Sequence, residues 1–109
     1  MKVKTSELTD AALDWAVAKC EYDGLSMQVI QYPAYAGTVP IPHPSTNWAQ
    51  GGPIIEREGI TLRCGVNGWD AELPEFYILH HGNSALVAAM RCYVASKLGD
   101  DIDVPKELT

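Results

Sequence analysis

The stretch 83–99, NSALVAAMRCYVASKLG, decides the fold. It presents a helix start, a helix body and a helix stop in order. Asn83 offers a side-chain oxygen to cap the first turn, Gly99 is expected to close the helix in the left-handed conformation, and Lys97 suits the last turn. Between them Leu86, Met90, Tyr93, Val94 and Leu98 or Val87 fill a broad apolar stripe, while Ala88, Cys92 and Ala95 add small apolar surface around the back. Polarity comes chiefly from Arg91, Ser96 and Lys97. A helix with so little polar circumference is central to its molecule or covered on its second side by another subunit. A homodimer is therefore one expectation.

Upstream of this helix the pattern turns to strands. EFYILHH (75–81) reads as a strand entering it, and GITLRCG (59–65) as another, with Ile60, Leu62 and Cys64 inward and Thr61 and Arg63 on the wetter face. SMQVIQY (26–32) is a third segment rich in β-formers. Nearer the start, MKVKTSEL reads as a short strand or extended lead-in. Thr9 is a good cap for a helix from Asp10 to Glu21, with Leu8 and Leu13 at the spacing of a hydrophobic staple. Leu13, Ala16, Val17 and Cys20 form its core stripe, and Trp15 points roughly opposite. That indole is expected to lie under a loop, the alternative being an exposed anchor for a partner.

Between Pro33 and Pro53 the chain holds five prolines and three glycines, which predicts a long loop of polyproline character. Loops this long in compact domains are usually functional or disordered. The fold class expected is α+β: two α-helices packed on a small, mainly antiparallel β-sheet with a long Pro/Gly-rich loop. At 109 residues the chain is read as one domain, 1–109, with an acidic C-terminal tail over about 100–109.

Eight basic against fourteen acidic side chains give a formal net charge of −6, and the basic ones are scattered. No stripe of them could displace phosphate counterions, so nucleic acid is not an expected partner. No signal peptide and no membrane-length apolar run is visible, which leads to the expectation of a cytoplasmic protein without a membrane partner. Three cysteines, Cys20, Cys64 and Cys92, fit reduced thiols better than a disulfide framework.

The search for chemistry yields little. The cysteines lack close pairing, His43 stands alone, and the adjacent His80 and His81 would point to opposite faces of a strand, so no metal site or cofactor is assigned. No nucleophile elbow, phosphate loop or dinucleotide fingerprint appears. Glu56 and Glu58 could act as acid and base, but that spacing more often marks a solvated face. No catalytic residue is assigned, and a small hydrolase is the least supported reading. What remains is recognition. Asn47, Trp48, Gln50, Gly51, Gly52, Glu56, Arg57, Glu58 and Trp69 place indoles beside amides, charges and bare backbone. Such a set suits a small polar or planar ligand or a protein partner. The competing reading is that Trp48 and Trp69 plug the two ends of a small core.

Three blocks add a resemblance. MKVKTSELTDAALDWAVAKCE at the start, STNWAQGGPIIEREGI in the middle and MRCYVASKLGDDIDVPKEL at the end together resemble the NinX-like family of small lambdoid bacteriophage proteins. They cover 56 of the 109 residues, about half of the chain, in the same order. The resemblance implies an accessory protein of a phage or prophage, made in the host bacterial cytoplasm. It implies no reaction, and it transfers no catalytic residue. The middle block contains Trp48, Gly51, Gly52, Pro53, Glu56, Arg57 and Glu58. The expected function is that of a non-enzymatic protein that binds a host or phage protein, with a small nucleotide-like ligand as the alternative.

Overall fold

The computed structural model describes residues 1–21 and 42–108. Its elements run β1 (Lys2–Lys4), α1 (Asp10–Glu21), α2 (Trp48–Glu58), β2 (Thr61–Gly65), β3 (Gly68–Leu73), β4 (Ile78–Gly82), α3 (Ala85–Leu98) and β5 (Asp101–Asp103). Single 3-10 turns lie at Thr5–Glu7, Pro74–Phe76 and Lys106–Leu108. The class is α+β, but with three helices and two small antiparallel sheets among the described residues, where two helices on one sheet are expected. The strand expected at 26–32 and the first part of the 33–53 loop lie outside the described residues.

α3 is the hub. Its cap is Ser84 rather than Asn83: the hydroxyl oxygen accepts the Val87 N–H at 3.1 Å from an extended backbone. Leu86, Ala88, Ala89, Met90, Cys92, Tyr93 and Val94 are all buried. They can be, because the sheet covers one side of the helix while α1 and α2 cover another. The apolar circumference that suggests a second subunit is thus accounted for within one chain. Gly99 ends the helix with φ 88° and ψ −166°, not in the expected left-handed helical region. That region is open essentially to glycine alone, and it sends the chain straight into β5.

β2, β3 and β4 form one sheet in that order, with Leu62 opposite Ala71 and Ala71 opposite His80. Ala71 and Leu73 are buried on the α3 side, while Arg63 pairs with Glu72 at 3.0 Å on the other. Ile60 is buried as expected and Leu62 half-buried, but Cys64 is exposed. The strand there runs out toward the exposed Val66–Asn67 turn, so its last inward position, opposite Trp69, lies at the edge of the sheet. β3, which follows that turn, is a strand that the sequence pattern does not announce.

The acidic end of the chain is not loose. β5 pairs antiparallel with β1, Val3 opposite Ile102, and Ile102 and Val104 are buried beneath the ribbon. The Met1 ammonium group meets Asp103 Oδ1 at 2.9 Å, and the Thr5 hydroxyl donates to the Gly99 carbonyl at 2.6 Å. Asp103 is accordingly held below the ordinary carboxylate range, chiefly by its hydrogen bond from the ammonium. α1 spans the expected residues and is buried from Ala12 through Ala18. Trp15 lies within that run, so its indole is covered, and Lys19 Nζ stands 5.2 Å from the ring centroid. No described helix is long and apolar enough to cross a membrane.

Candidate functional site

The segment read as the end of a loop, 47–58, is a helix. Asn47 caps α2: its side-chain oxygen accepts the Ala49 N–H at 2.8 Å. Gly59 stops it in the left-handed region, φ 69° and ψ 40°. Pro53 sits inside the helix, where it forfeits the bond to the Ala49 carbonyl, a defect worth about 3 kcal/mol in a helix interior. Ala49 is exposed, so water can take that carbonyl. Gly51 is a packing requirement. A Cβ there would come within 2.4 Å of the Pro44 carbonyl oxygen and 2.5 Å of Leu86 Cδ2. Both glycines that resemble a loop signal are thus helical, and one is the point at which α2 touches α3.

Little of α2 is buried. Gly51 and Ile54 are its only buried residues, so polar contacts do much of the holding. At the C-terminal end, Arg57 reaches across to the end of α1 and grips both carboxylate oxygens of Glu21, at 3.0 and 2.6 Å. It also donates to Glu58 at 2.8 Å and to the Tyr93 hydroxyl at 3.2 Å, with its guanidinium 5.7 Å from the Tyr93 ring centroid. Tyr93 itself donates to Glu21, and Lys97 Nζ lies 3.7 Å from Glu58. The Arg57 hydrogen bonds hold the Glu21 carboxyl below its ordinary value. Burial, reinforced by the Glu21 carboxylate, pushes the Tyr93 phenol up. One clasp therefore joins α1, α2 and α3.

A second contact holds the approach to α2. Asp14, buried within α1, accepts the Ser45 N–H at 2.9 Å and faces His43 Nδ1 at 3.4 Å. Gln50 Oε1 accepts the His43 N–H. Four partners here escape the sequence reading: Asp14, Glu21, Tyr93 and Lys97. Asp14 did leave a signal, a carboxylate set among the apolar residues of a core helix.

Apart from the clasped Arg57, the exposed residues of α2 are Trp48, Ala49, Gln50, Pro53 and Glu56. Trp48 is 56% exposed, so it does not plug a core. A Cβ at Gly52 would lie 3.9 Å from Trp48 Cε3, which places the indole along the helix over a residue with no side chain. Glu56 and Glu58 do not converge. Two positions apart on a helix they diverge by about 200°, and Glu58 is engaged by Arg57 and Lys97 while Glu56 is exposed. Trp69 is not part of this face. It lies half-buried in β3 opposite Cys64, packed against the hydrophobic core.

Elsewhere the titratable groups are structural. Burial pushes the Cys92 thiol up to about 11 and lowers His80. His81 spans the hairpin, with Nδ1 3.0 Å from Asp70 Oδ1 and Nε2 3.0 Å from the Asn67 carbonyl. Among the described residues no group of three or more His, Cys, Asp or Glu could hold a metal ion.

A family model described as "Bacteriophage P22, NinX" matches residues 4–97. The chain belongs to the NinX family. The NinX match begins at the last residue of β1 and ends just short of the end of α3, so it contains the whole of α2 and both its clasps. No curated protein matches the sequence.

Proposed function

We propose that this phage accessory protein acts in the host cytoplasm as a non-enzymatic binding protein, docking on a host or phage protein through the outer face of α2. One observation carries the reading: a large indole, Trp48, stands 56% exposed on a helix whose other side is fastened to the body of the protein. Exposed tryptophans on rigid elements are the residue type that most often dominates protein interfaces. The helix is anchored at both ends, so little ordering is lost when a partner docks.

The alternative, capture of a nucleotide-like ligand between Trp48 and Trp69, draws no support from their placement. One indole packs against the core from β3, and the other faces solvent from α2. A homodimer has also lost its first motive, since α3 is covered by its own chain.

The test is capture from phage-infected cells with the wild-type protein and with Trp48→Ala. A reproducible protein partner should be retained by the wild type and lost from the variant, while the thermal midpoint stays within about 2 °C, as suits a surface substitution. If no partner is captured reproducibly, or the variant captures it equally well, the reading fails.

A further inference from the structure

The triplet Glu56-Arg57-Glu58 is formally alternating charge, but the fold uses its members unequally. Arg57 is consumed by Glu21, Glu58 and Tyr93, and Glu58 is consumed by Arg57 and Lys97. Glu56 alone is exposed with no ion-pair partner among the described residues. The aromatic rings divide in the same way. Lys19 stands over Trp15, and Arg57 and Lys97 stand over Tyr93, but no described cation stands over Trp48. On α2 this leaves one exposed ring, Trp48, and one exposed carboxylate, Glu56, with no described cation against them.

These two groups share a side of α2. Trp48, Gly52 and Glu56 follow at intervals of four, one turn apart. Gly52 has no side chain, and the indole leans over it toward Glu56. A helical side chain such as that of Glu56 leans the other way, toward the N-terminus, so the gap between them narrows above the bare backbone of Gly52. Pro53 and Ala49, both exposed beside this stripe, add a small apolar border. Gln50, two positions from both Trp48 and Gly52, projects from another side of the helix, its amide oxygen taken by the His43 N–H.

Resting on the reading that α2 docks a protein, we propose that its outer face recognises a cationic segment of that partner. An arginine guanidinium would stack on the Trp48 indole, and the Glu56 carboxylate would supply the counter-charge. A guanidinium suits this pair better than an ammonium, since it is planar, weakly hydrated and able to stack and donate at once. The electrostatics of the whole molecule favour the same partner. A formal net charge of −6 attracts cations at long range, and with Arg57 locked into its clasp the nearest cation is held by carboxylates.

The experiment titrates three ten-residue peptides into the full chain and follows the Trp48 indole N–H by NMR, assigned by its loss in Trp48→Phe. The peptides share an alanine and leucine background and carry at two positions arginine, glutamine or glutamate. The arginine peptide should move the Trp48 signal at several-fold lower concentration than the glutamine peptide, and the glutamate peptide should do least. Glu56→Gln should weaken the arginine peptide about threefold to fivefold, and about 150 mM added salt should do likewise, as exposed cation–ring and ion-pair contacts imply. Arginine and glutamine peptides acting equally would overturn the charge preference while leaving an apolar docking face. A response to neither would also overturn it, and capture from infected cells would still judge the binding reading on its own. An arginine response unchanged in Glu56→Gln would remove Glu56 from the site.

Discussion

α2 and α3 solve the same problem by opposite means. α3 is buried on nearly every side and is held by packing, with Leu86, Met90, Tyr93 and Val94 all enclosed. α2 buries only Gly51 and Ile54, carries a proline in its interior, and is held by a cap, a stop and two polar clasps. Packing produces a helix with no surface left to offer. Fastening at the ends produces a helix whose outer face is free. The difference leaves the second helix, though shorter and less apolar, as the one with surface on offer for the proposed recognition.

The contrast can be broken by substitution. The largest effect is expected in the packed helix. Met90→Ala should cost about 3 kcal/mol, because a fully buried side chain leaves a cavity that its neighbours only partly fill. Chemical denaturation followed by far-UV circular dichroism should show one cooperative transition moved to lower denaturant. A shift below about 1 kcal/mol would mean that α3 is not the hub described here.

Next comes Gly51→Ala. Alanine favours helix over glycine by roughly 1 kcal/mol, yet the new methyl would meet the Pro44 carbonyl, a backbone atom that cannot swing aside. Overpacking should win, with a net loss of about 2 kcal/mol. The Trp48 emission should report it before the far-UV signal does, since the strain falls on the α2 seat. A stabilised Gly51→Ala protein would show that the α2–α3 contact is softer than its geometry.

Arg57→Ala sharpens the comparison at the smallest scale. Half-exposed ion pairs are screened by water, so the loss at neutral pH should be about 1 kcal/mol despite the several hydrogen bonds. Its signature lies in pH. Glu21 is held below its ordinary value of 4.5, chiefly by Arg57. Its contribution is therefore present above that value and disappears as pH falls through the lower folded one. Removing Arg57 should flatten the acid side of the stability curve below about pH 5. An unchanged acid limb would show that the clasp does not couple α1 to α2.

Much of this is legible in the sequence. The bounds of α1 and the body of α3 follow from apolar periodicity, while the cap of α3 falls one residue later than the sequence suggests, at Ser84. α2 was not legible. Gly51, Gly52 and Pro53 signal a loop by propensity, and only the close approach of Pro44 and Leu86 explains why a glycine belongs in a helix there. β3 was hidden for a similar reason. Gly68 opens it and Pro74 follows it, masking the alternation of Trp69, Ala71 and Leu73 with Asp70 and Glu72. For the candidate site, the sequence marks the segment 47–58 but does not sort it into anchored and exposed positions. Whether Arg57 faces solvent or Glu21 depends on a residue 36 positions away. No local pattern encodes that separation. Trp48 and Trp69 look alike in sequence and differ only in what the fold places over them.

The ribbon of β1 and β5 has a consequence for how the molecule comes apart. Its contacts join positions as much as 103 apart, Met1 to Val104. Closing an open chain over that span costs about 4 kcal/mol in lost freedom before any contact is made, more than three-residue strands return. Once α1 and α3 have docked, the two ends already lie side by side and most of that penalty is gone. The ribbon therefore depends on the body far more than the body depends on the ribbon. Opening it uncovers Ile102 and Val104 at the edge of the core, while the clasped helix has its own fastenings to hold its outer face in place.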